Sequence, residues 1–204
     1  MDNLDQIINS SVKFFGEVGY IGFTDLVAAT TNYSVLKLDL TNNSDDKQLY
    51  DQIICSANDL IKYGLKTRHR FQGDRINDIG KAIEEVFVQE LRKTKFTPEL
   101  LAKSGYPDMK ITDQTGRVTY LESKAVSKGW NSSFRSFYYL DGKKITSDAR
   151  HLLIAWDLIE ETPKYWRIKG WKLLDLFNLR VKTKLEFNSS NKELYQKELI
   201  IAEM

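Results

Sequence analysis

The sequence is poor in the residues that several kinds of functional site require. Among its 204 residues are one cysteine, Cys55, and two histidines, His69 and His151. A single thiol cannot form a disulfide framework or a thiolate zinc site, and two imidazoles are too few for a multi-histidine metal centre. The sequence also has no Walker phosphate loop and no glycine fingerprint for a dinucleotide. We therefore expect no nucleotide cofactor.

Neither a large excess of positive charge nor a long apolar run is present. The 30 Lys and Arg residues are balanced by 28 Asp and Glu, for a net charge of +2. This balance is compatible with a nucleic-acid enzyme, because such a site needs carboxylates for metal as well as basic residues for phosphate. The first residues, MDNLDQ, are polar and acidic, unlike a signal peptide. We expect a soluble, cytoplasmic protein that has no membrane partner.

Hydrophobic periodicity predicts the helices and strands. Residues 75–93 have the clearest helical pattern, with Glu84 at the edge of an apolar stripe and Glu85 pointing away from it. Further helices are predicted at 2–17, at 46–64, around 132–139 and after Ser190, and strands at 33–40, 151–160, 164–174 and near 179–187.

Residues 107–125 are predicted to form a β-hairpin. The segments PDMKITD and RVTYLESKAV are two strands, and Gln114-Thr115-Gly116 is the turn between them. Strand alternation places Glu122 and Lys124 on one face. Pro107 suits a strand end, because proline has no N–H to donate to a neighbouring strand. Asp108 follows it and can meet Glu122 and Lys124 if the hairpin bends there.

Two carboxylates and a lysine in this arrangement suit phosphodiester hydrolysis. That reaction needs a metal ion to polarise the phosphate and to activate a water molecule. Magnesium prefers oxygen ligands and commonly takes one or two protein carboxylates. Asp108 and Glu122 are therefore candidate ligands, with Lys124 beside them. The same residues could instead be an exposed cross-strand pair without catalytic function.

The order Pro107-Asp108, then Glu122-Ser123-Lys124, resembles the PD-(D/E)xK nuclease superfamily, which includes most type II restriction endonucleases. The resemblance covers roughly residues 75–160 and implies an α/β fold with a mixed central sheet flanked by helices. It implies that Mg²⁺ is bound by Asp108, Glu122 and the backbone carbonyl of Ser123. It further implies that Lys124 orients or activates the water, and that Glu84 assists the metal site.

The resemblance also implies an organisation and a function. We predict one nuclease domain over residues 1–204, with an N-terminal helical and strand subregion (1–70), a catalytic core (75–160) and C-terminal strands and a helix (161–204). The expected function is that of a type II restriction endonuclease that cuts double-stranded DNA. Cutting both strands of a symmetric site calls for a homodimer.

Two other functions remain open at this point. One is a repair or recombination nuclease of the same superfamily that recognises DNA structure. The other is a DNA-binding protein without catalytic activity. Plasmid cleavage into discrete bands would favour restriction, and duplex binding in EDTA without cleavage would favour the binding protein.

Two basic or polar segments are candidates for DNA contact. The first lies before the helix at 75–93, and the second, rich in aromatic residues, follows the hairpin. Solvated loops or core packing are the alternatives for both segments. The candidate residues are Arg70, Arg75, Asn131, Ser133, Arg135, Lys143 and Lys144. His151 opens an apolar strand, where a structural role is expected.

Overall fold

The computed structural model describes residues 20–101, 105–130 and 142–182. The chain divides into two units, one of Met1–Ile21 with Arg180–Met204 and one of Gly22–Leu179. Strand β1 (Tyr20–Gly22), of which Tyr20 and Ile21 belong to the first unit, and strand β9 (Arg180–Lys182) form a two-stranded sheet. The Arg180 guanidinium donates a hydrogen bond of 2.8 Å to the Tyr20 carbonyl. Organisation of residues 1–204 as one domain stays a prediction.

The second unit is built on a seven-stranded sheet. Its strands are β2 (Val35–Leu36), β3 (Phe71–Gln72), β4 (Thr97–Leu100), β5 (Met109–Thr112), β6 (Val118–Val126), β7 (Ala149–Thr162) and β8 (Tyr165–Asp175). The order is β3-β8-β7-β6-β5-β4, and β2 pairs with β7. Pairing is parallel between β6 and β7 and between β2 and β7, and antiparallel elsewhere. The sheet is therefore mixed, as predicted.

The described residues contain helices α1 (Phe23–Thr31), α2 (Ser44–Thr67) and α3 (Ile76–Leu91). The Asn43 side chain caps α2 by accepting hydrogen bonds from the N–H groups of Asp45 and Asp46. Helices α2 and α3 share a hydrophobic core with the sheet residues Leu121, Ile154 and Trp156, among others. These contacts confirm the predicted α/β class with a mixed sheet flanked by helices. No helix in the described segments is long and apolar enough to span a bilayer.

An aromatic cluster of Phe23, Tyr106, Tyr120 and His151 is also buried in this unit. The His151 ring lies 5.1 Å from that of Tyr120 and 5.6 Å from that of Phe23, and it stacks on Tyr106 at 5.8 Å. The Tyr106 hydroxyl and His151 Nδ1 share a hydrogen bond of 2.6 Å. This buried cluster packs the residues just before Asp108 against strands β6 and β7.

Several predicted elements differ from the observed ones. The strand predicted at 33–40 is limited to Val35–Leu36, because the N–H groups of Leu38 and Asp39 donate to the carboxylates of Asp175 and Asp46 instead of to a strand. Helix α1 and strand β4 were not predicted. The predicted helices at 2–17, around 132–139 and after Ser190 lie outside the described residues.

Candidate active site

The hairpin of β5 and β6 carries the candidate residues and has the predicted turn. Gly116 has a φ of 84°, the left-handed conformation that glycine adopts at low cost. The Asp113 carboxylate accepts hydrogen bonds from the backbone N–H groups of Thr115 and Arg117, and from the Arg117 guanidinium at 2.7 Å. These bonds fix the hairpin register, which places Met109 opposite Leu121.

Beyond Met109 and Leu121 the two strands stop pairing. Two more residues of antiparallel register would place Pro107 opposite Ser123, and proline has no N–H with which to continue the ladder. The Ser123 N–H donates to Asp108 Oδ2 at 2.8 Å instead. The end of the ladder thus brings the Pro107-Asp108 half of the motif to the Glu122-Ser123-Lys124 half.

Glu122 is almost wholly buried, with 1% of its surface exposed. Its Oε1 lies 2.6 Å from the Lys124 ammonium. Its Oε2 is buried and accepts no hydrogen bond from any residue in the described part of the chain. A buried carboxylate oxygen without a donor is costly, so Oε2 is suited to a cation or a proton.

The carboxylates at the site alter one another's ionisation. Burial, and next the Asp108 charge, raise the pKa of Glu122 to about 8. Burial alone would lower the pKa of Lys124, but the nearby carboxylates, Glu122 foremost, outweigh it and raise that pKa. Bringing carboxylates together in a buried site is unfavourable without positive charge. Burial and the Asp108 charge thus both disfavour the ionised form of Glu122, and a bound cation would favour it.

Glu84 on α3 belongs to the same group of charges, whereas its neighbour does not. Glu84 is partly buried and Glu85 is exposed, in agreement with the predicted helix phase. Burial, and next the Asp108 charge, raise the pKa of Glu84 to about 7, while Lys124 acts in the opposite direction. Glu84 therefore lies within electrostatic reach of both Asp108 and Lys124.

The donor set at the end of the ladder fits a hard divalent cation. In residues 20–101, 105–130 and 142–182, no three His, Cys, Asp or Glu side chains come together in a way that could hold a metal ion. An ion here would have the carboxylates of Asp108 and Glu122, with main-chain oxygen or water completing its shell, as Mg²⁺ commonly does. In a strand, the N–H and C=O of one residue point to the same side, so the Ser123 carbonyl lies on the side of β6 on which the Ser123 N–H meets Asp108.

The face of β6 opposite Glu122 and Lys124 packs against the core. The Ser123 hydroxyl accepts a hydrogen bond of 3.1 Å from the indole N–H of Trp156, which is fully buried. Gly80 of α3 packs over Ala125, where an added Cβ would lie 3.4 Å from the Ala125 Cβ. These contacts anchor the strand that carries Glu122 and Lys124 to the core.

The candidate DNA-contact residues lie in different surroundings. Lys144 is partly buried and donates to the carbonyls of Gly105 and Pro107, beside Asp108. Arg70 forms an ion pair with Glu161, which also binds Arg167. Arg75 is exposed and pairs with Asp78, and Lys143 is exposed. Asn131, Ser133 and Arg135 lie outside the described residues.

His151 is structural in its surroundings, as expected for a histidine that opens an apolar strand. Its side chain is fully buried, and burial lowers its pKa to about 3. The imidazole is therefore neutral near pH 7. Sequence reasoning did not foresee its bond to Tyr106, because the two residues are 45 positions apart.

Comparison with known proteins gives a consistent result over most of the chain. The model of the type II restriction enzyme MjaV family matches residues 18–198. The type II restriction enzyme MjaV of Methanocaldococcus jannaschii is 33% identical over 205 residues, which cover 90% of this chain and 88% of that enzyme. No solved structure matches the chain.

Proposed function

Because the chain belongs to the MjaV family of type II restriction enzymes, we propose that it cuts double-stranded DNA at the site built by Asp108, Glu122 and Lys124. Membership of the family makes the chain a restriction endonuclease that acts on DNA. The proposal adds the residues that perform the cleavage and the ion that they use, Mg²⁺. It also adds that no nucleotide cofactor takes part.

One observation carries the assignment of the site. The N–H of Ser123 donates to the Asp108 carboxylate at the point where proline ends the strand pairing. This bond brings Asp108 to Glu122, whose Oε2 is buried and has no donor among the described residues. Two carboxylates held together at a buried site favour a cation or a proton between them, which offsets their repulsion.

Asp108, Glu122 and the Ser123 carbonyl are the residues that would hold Mg²⁺. When bound, the ion polarises the scissile phosphate and lowers the pKa of a water molecule. The chain supplies the anionic oxygens and, through the packing of β6 on the core, their fixed positions. Fixed dipoles and charges are effective in such a site because they need no reorganisation during the reaction.

Lys124 supplies positive charge at the same place. Its ammonium is bonded to Glu122 and feels the charges of Asp108 and Glu84. The raised pKa keeps Lys124 protonated, so its role is to donate hydrogen bonds to the water and to the phosphate oxygens. Glu84 assists by holding Lys124 and the metal site electrostatically from α3.

For DNA contact we retain the exposed cations Arg75 and Lys143, with Asn131, Ser133 and Arg135. Arg70 is partly engaged by Glu161, and it can reach phosphate only if it exchanges that partner. We also propose that two copies of the chain act together as a homodimer, because a symmetric duplex site presents the same scissile bond twice. Light scattering of the protein bound to duplex DNA measures the number of copies.

Replacing Asp108 with asparagine tests the site directly. In Asp108→Asn the side-chain oxygen can still accept the Ser123 N–H, but the charge is lost. We expect cleavage of plasmid DNA in Mg²⁺ to fall by about a hundredfold to a thousandfold, because the ion contributes several kcal/mol. Asp51→Asn, an exposed carboxylate on α2, is the control and should cut at the normal rate. Normal cleavage by Asp108→Asn, or cleavage in EDTA, would contradict the proposal.

A further inference from the structure

The Lys144 side chain makes an unusual pair of contacts beside the site. Its ammonium donates to the Gly105 carbonyl at 2.5 Å and to the Pro107 carbonyl at 2.8 Å. An ammonium has three donors, so most of its hydrogen-bonding capacity is spent on the segment that leads into Asp108. A lysine whose function is to bind a DNA phosphate would keep its ammonium facing solvent.

The Pro107 carbonyl is the group that a continuing β5–β6 ladder would use. With Pro107 opposite Ser123, an unbroken ladder would have the Ser123 N–H donate to the Pro107 carbonyl. In the structure that N–H donates to Asp108, and the Pro107 carbonyl accepts from Lys144. The Ser123 N–H and the Pro107 carbonyl would bond to each other in a ladder, but each is bonded to a charged side chain.

The bond from Lys144 to the Pro107 carbonyl affects the bond between Asp108 and Ser123. If the Pro107 carbonyl had no other donor, it would compete with the Asp108 carboxylate for the Ser123 N–H. A buried carbonyl without a donor is unfavourable, and Pro107 is buried. A bond from Lys144 removes this competition, because it satisfies the carbonyl from another direction.

The positive charge of Lys144 is also attracted by the carboxylates of the site. Burial lowers the pKa of Lys144, while the carboxylates of Asp108, Glu122 and Glu84 act to raise it. The ammonium therefore lies in the field of all three carboxylates. It is held in place by two carbonyls, and so its charge is fixed relative to Asp108.

We propose that Lys144 is a positioning residue that holds the Gly105–Pro107 segment away from Ser123 and thereby keeps the Asp108 carboxylate on the Ser123 N–H. The inference rests on the proposed role of Asp108 in binding the metal. It assigns to Lys144 a function different from the DNA contact predicted from the sequence.

A metal-free experiment observes this bond directly. The amide proton of Ser123, bonded to a carboxylate, gives a resonance that Asp108→Ala should displace upfield. We expect Lys144→Met to displace the same resonance in the same direction. Lys144→Arg, whose guanidinium can also donate to two carbonyls, should restore it at least in part. Lys62→Met, an exposed lysine on α2, should leave it unchanged. The thermal unfolding of each variant shows whether it is folded.

Two binding measurements separate positioning from DNA contact. The electron paramagnetic resonance of free Mn²⁺ measures affinity for the ion. This affinity should fall about tenfold in Lys144→Met, because loss of a group that orients a metal ligand weakens metal binding by about that much. Affinity for duplex DNA in EDTA should keep the salt dependence of the unaltered protein. A phosphate contact would instead make that salt dependence shallower by about 0.9 in logarithmic slope.

The outcomes are distinct. An unmoved Ser123 resonance in folded Lys144→Met, or a shallower salt dependence with unchanged Mn²⁺ affinity, overturns the role of Lys144. Cleavage by Asp108→Asn at the normal rate contradicts the proposed function instead. The Ser123 resonance still tests Lys144 in that case, because it requires neither metal nor DNA.

Discussion

Metal binding at this site should be coupled to the release of a proton from Glu122. Burial and the Asp108 charge raise the pKa of Glu122 to about 8. In the metal-free protein near pH 7, most molecules therefore carry a proton on this carboxyl. A cation must displace that proton before it can bind the oxygen. Affinity for the ion should therefore rise as pH increases toward about 8 and level off above it.

The size of the effect follows from the pKa. The fraction of Glu122 that is ionised rises from about 1% at about pH 6 to about half at about pH 8. The apparent association constant should therefore rise about 50-fold over this interval, with close to one proton released per ion at the acidic end. Glu84, with a pKa raised to about 7, adds to the rise only if it loses its proton when the ion binds.

Mn²⁺ is a suitable probe, since the free ion has a paramagnetic resonance that disappears on binding. Titrations at several pH values give the affinity, and calorimetry in buffers of different ionisation enthalpy gives the number of protons released. Glu122→Gln should bind the ion more weakly and with little dependence on pH. Glu85→Gln, the exposed neighbour on α3, should follow the unaltered protein. Affinity that is constant from about pH 6 to about pH 8, without proton release, would refute the reasoning.

Three further predictions concern other residues. Glu84→Gln should slow single-turnover cleavage by about tenfold, whereas Glu85→Gln should not; equal rates would mean that Glu84 does not act at the site. Lys124→Ala should lose most of the cleavage rate yet bind specific DNA normally when Ca²⁺ replaces Mg²⁺. Lys143→Ala should do the opposite: it should weaken DNA binding and make its salt dependence shallower, with a smaller loss of the cleavage rate at saturating enzyme. Burial lowers the pKa of His151 to about 3 from 6.5. Protonation therefore favours the unfolded chain, and its contribution to the free energy of unfolding should fall by about 2 kcal/mol from about pH 7 to about pH 5. Denaturant titrations of His151→Phe should lack that decrease.

The elements that could be predicted are those whose patterns are local. The apolar stripe of α3 distinguishes Glu84 from Glu85 by helix phase alone, and a turn containing Gly116 sets the register of the hairpin. Strand β4 was missed because Pro98 argues against a strand. Proline is nevertheless tolerated at a sheet edge, and β4 is the edge strand next to β5. Helix α1 was missed because Gly22 provides no side-chain cap and the helix is rich in threonine.

Contacts between distant parts of the chain could not be read from the sequence. Arg70 looked like a free cation in a basic loop, but it pairs with Glu161, 91 positions away. Lys144 looked equivalent to Lys143, yet its ammonium reaches carbonyls 37 and 39 positions earlier. Adjacent residues of the same type thus have different surroundings.

The architecture of the site follows from a single interruption of strand pairing. A continuous β5–β6 ladder would consume the N–H and C=O of Ser123 in ordinary sheet bonds. Pro107 cannot supply the N–H that the Ser123 carbonyl would need, so a regular ladder cannot satisfy that carbonyl. The Asp108 carboxylate takes the Ser123 N–H in place of the Pro107 carbonyl. If the Ser123 carbonyl binds the ion as proposed, Pro107 is part of the site, because a residue with an N–H at that position would tend to cover this oxygen.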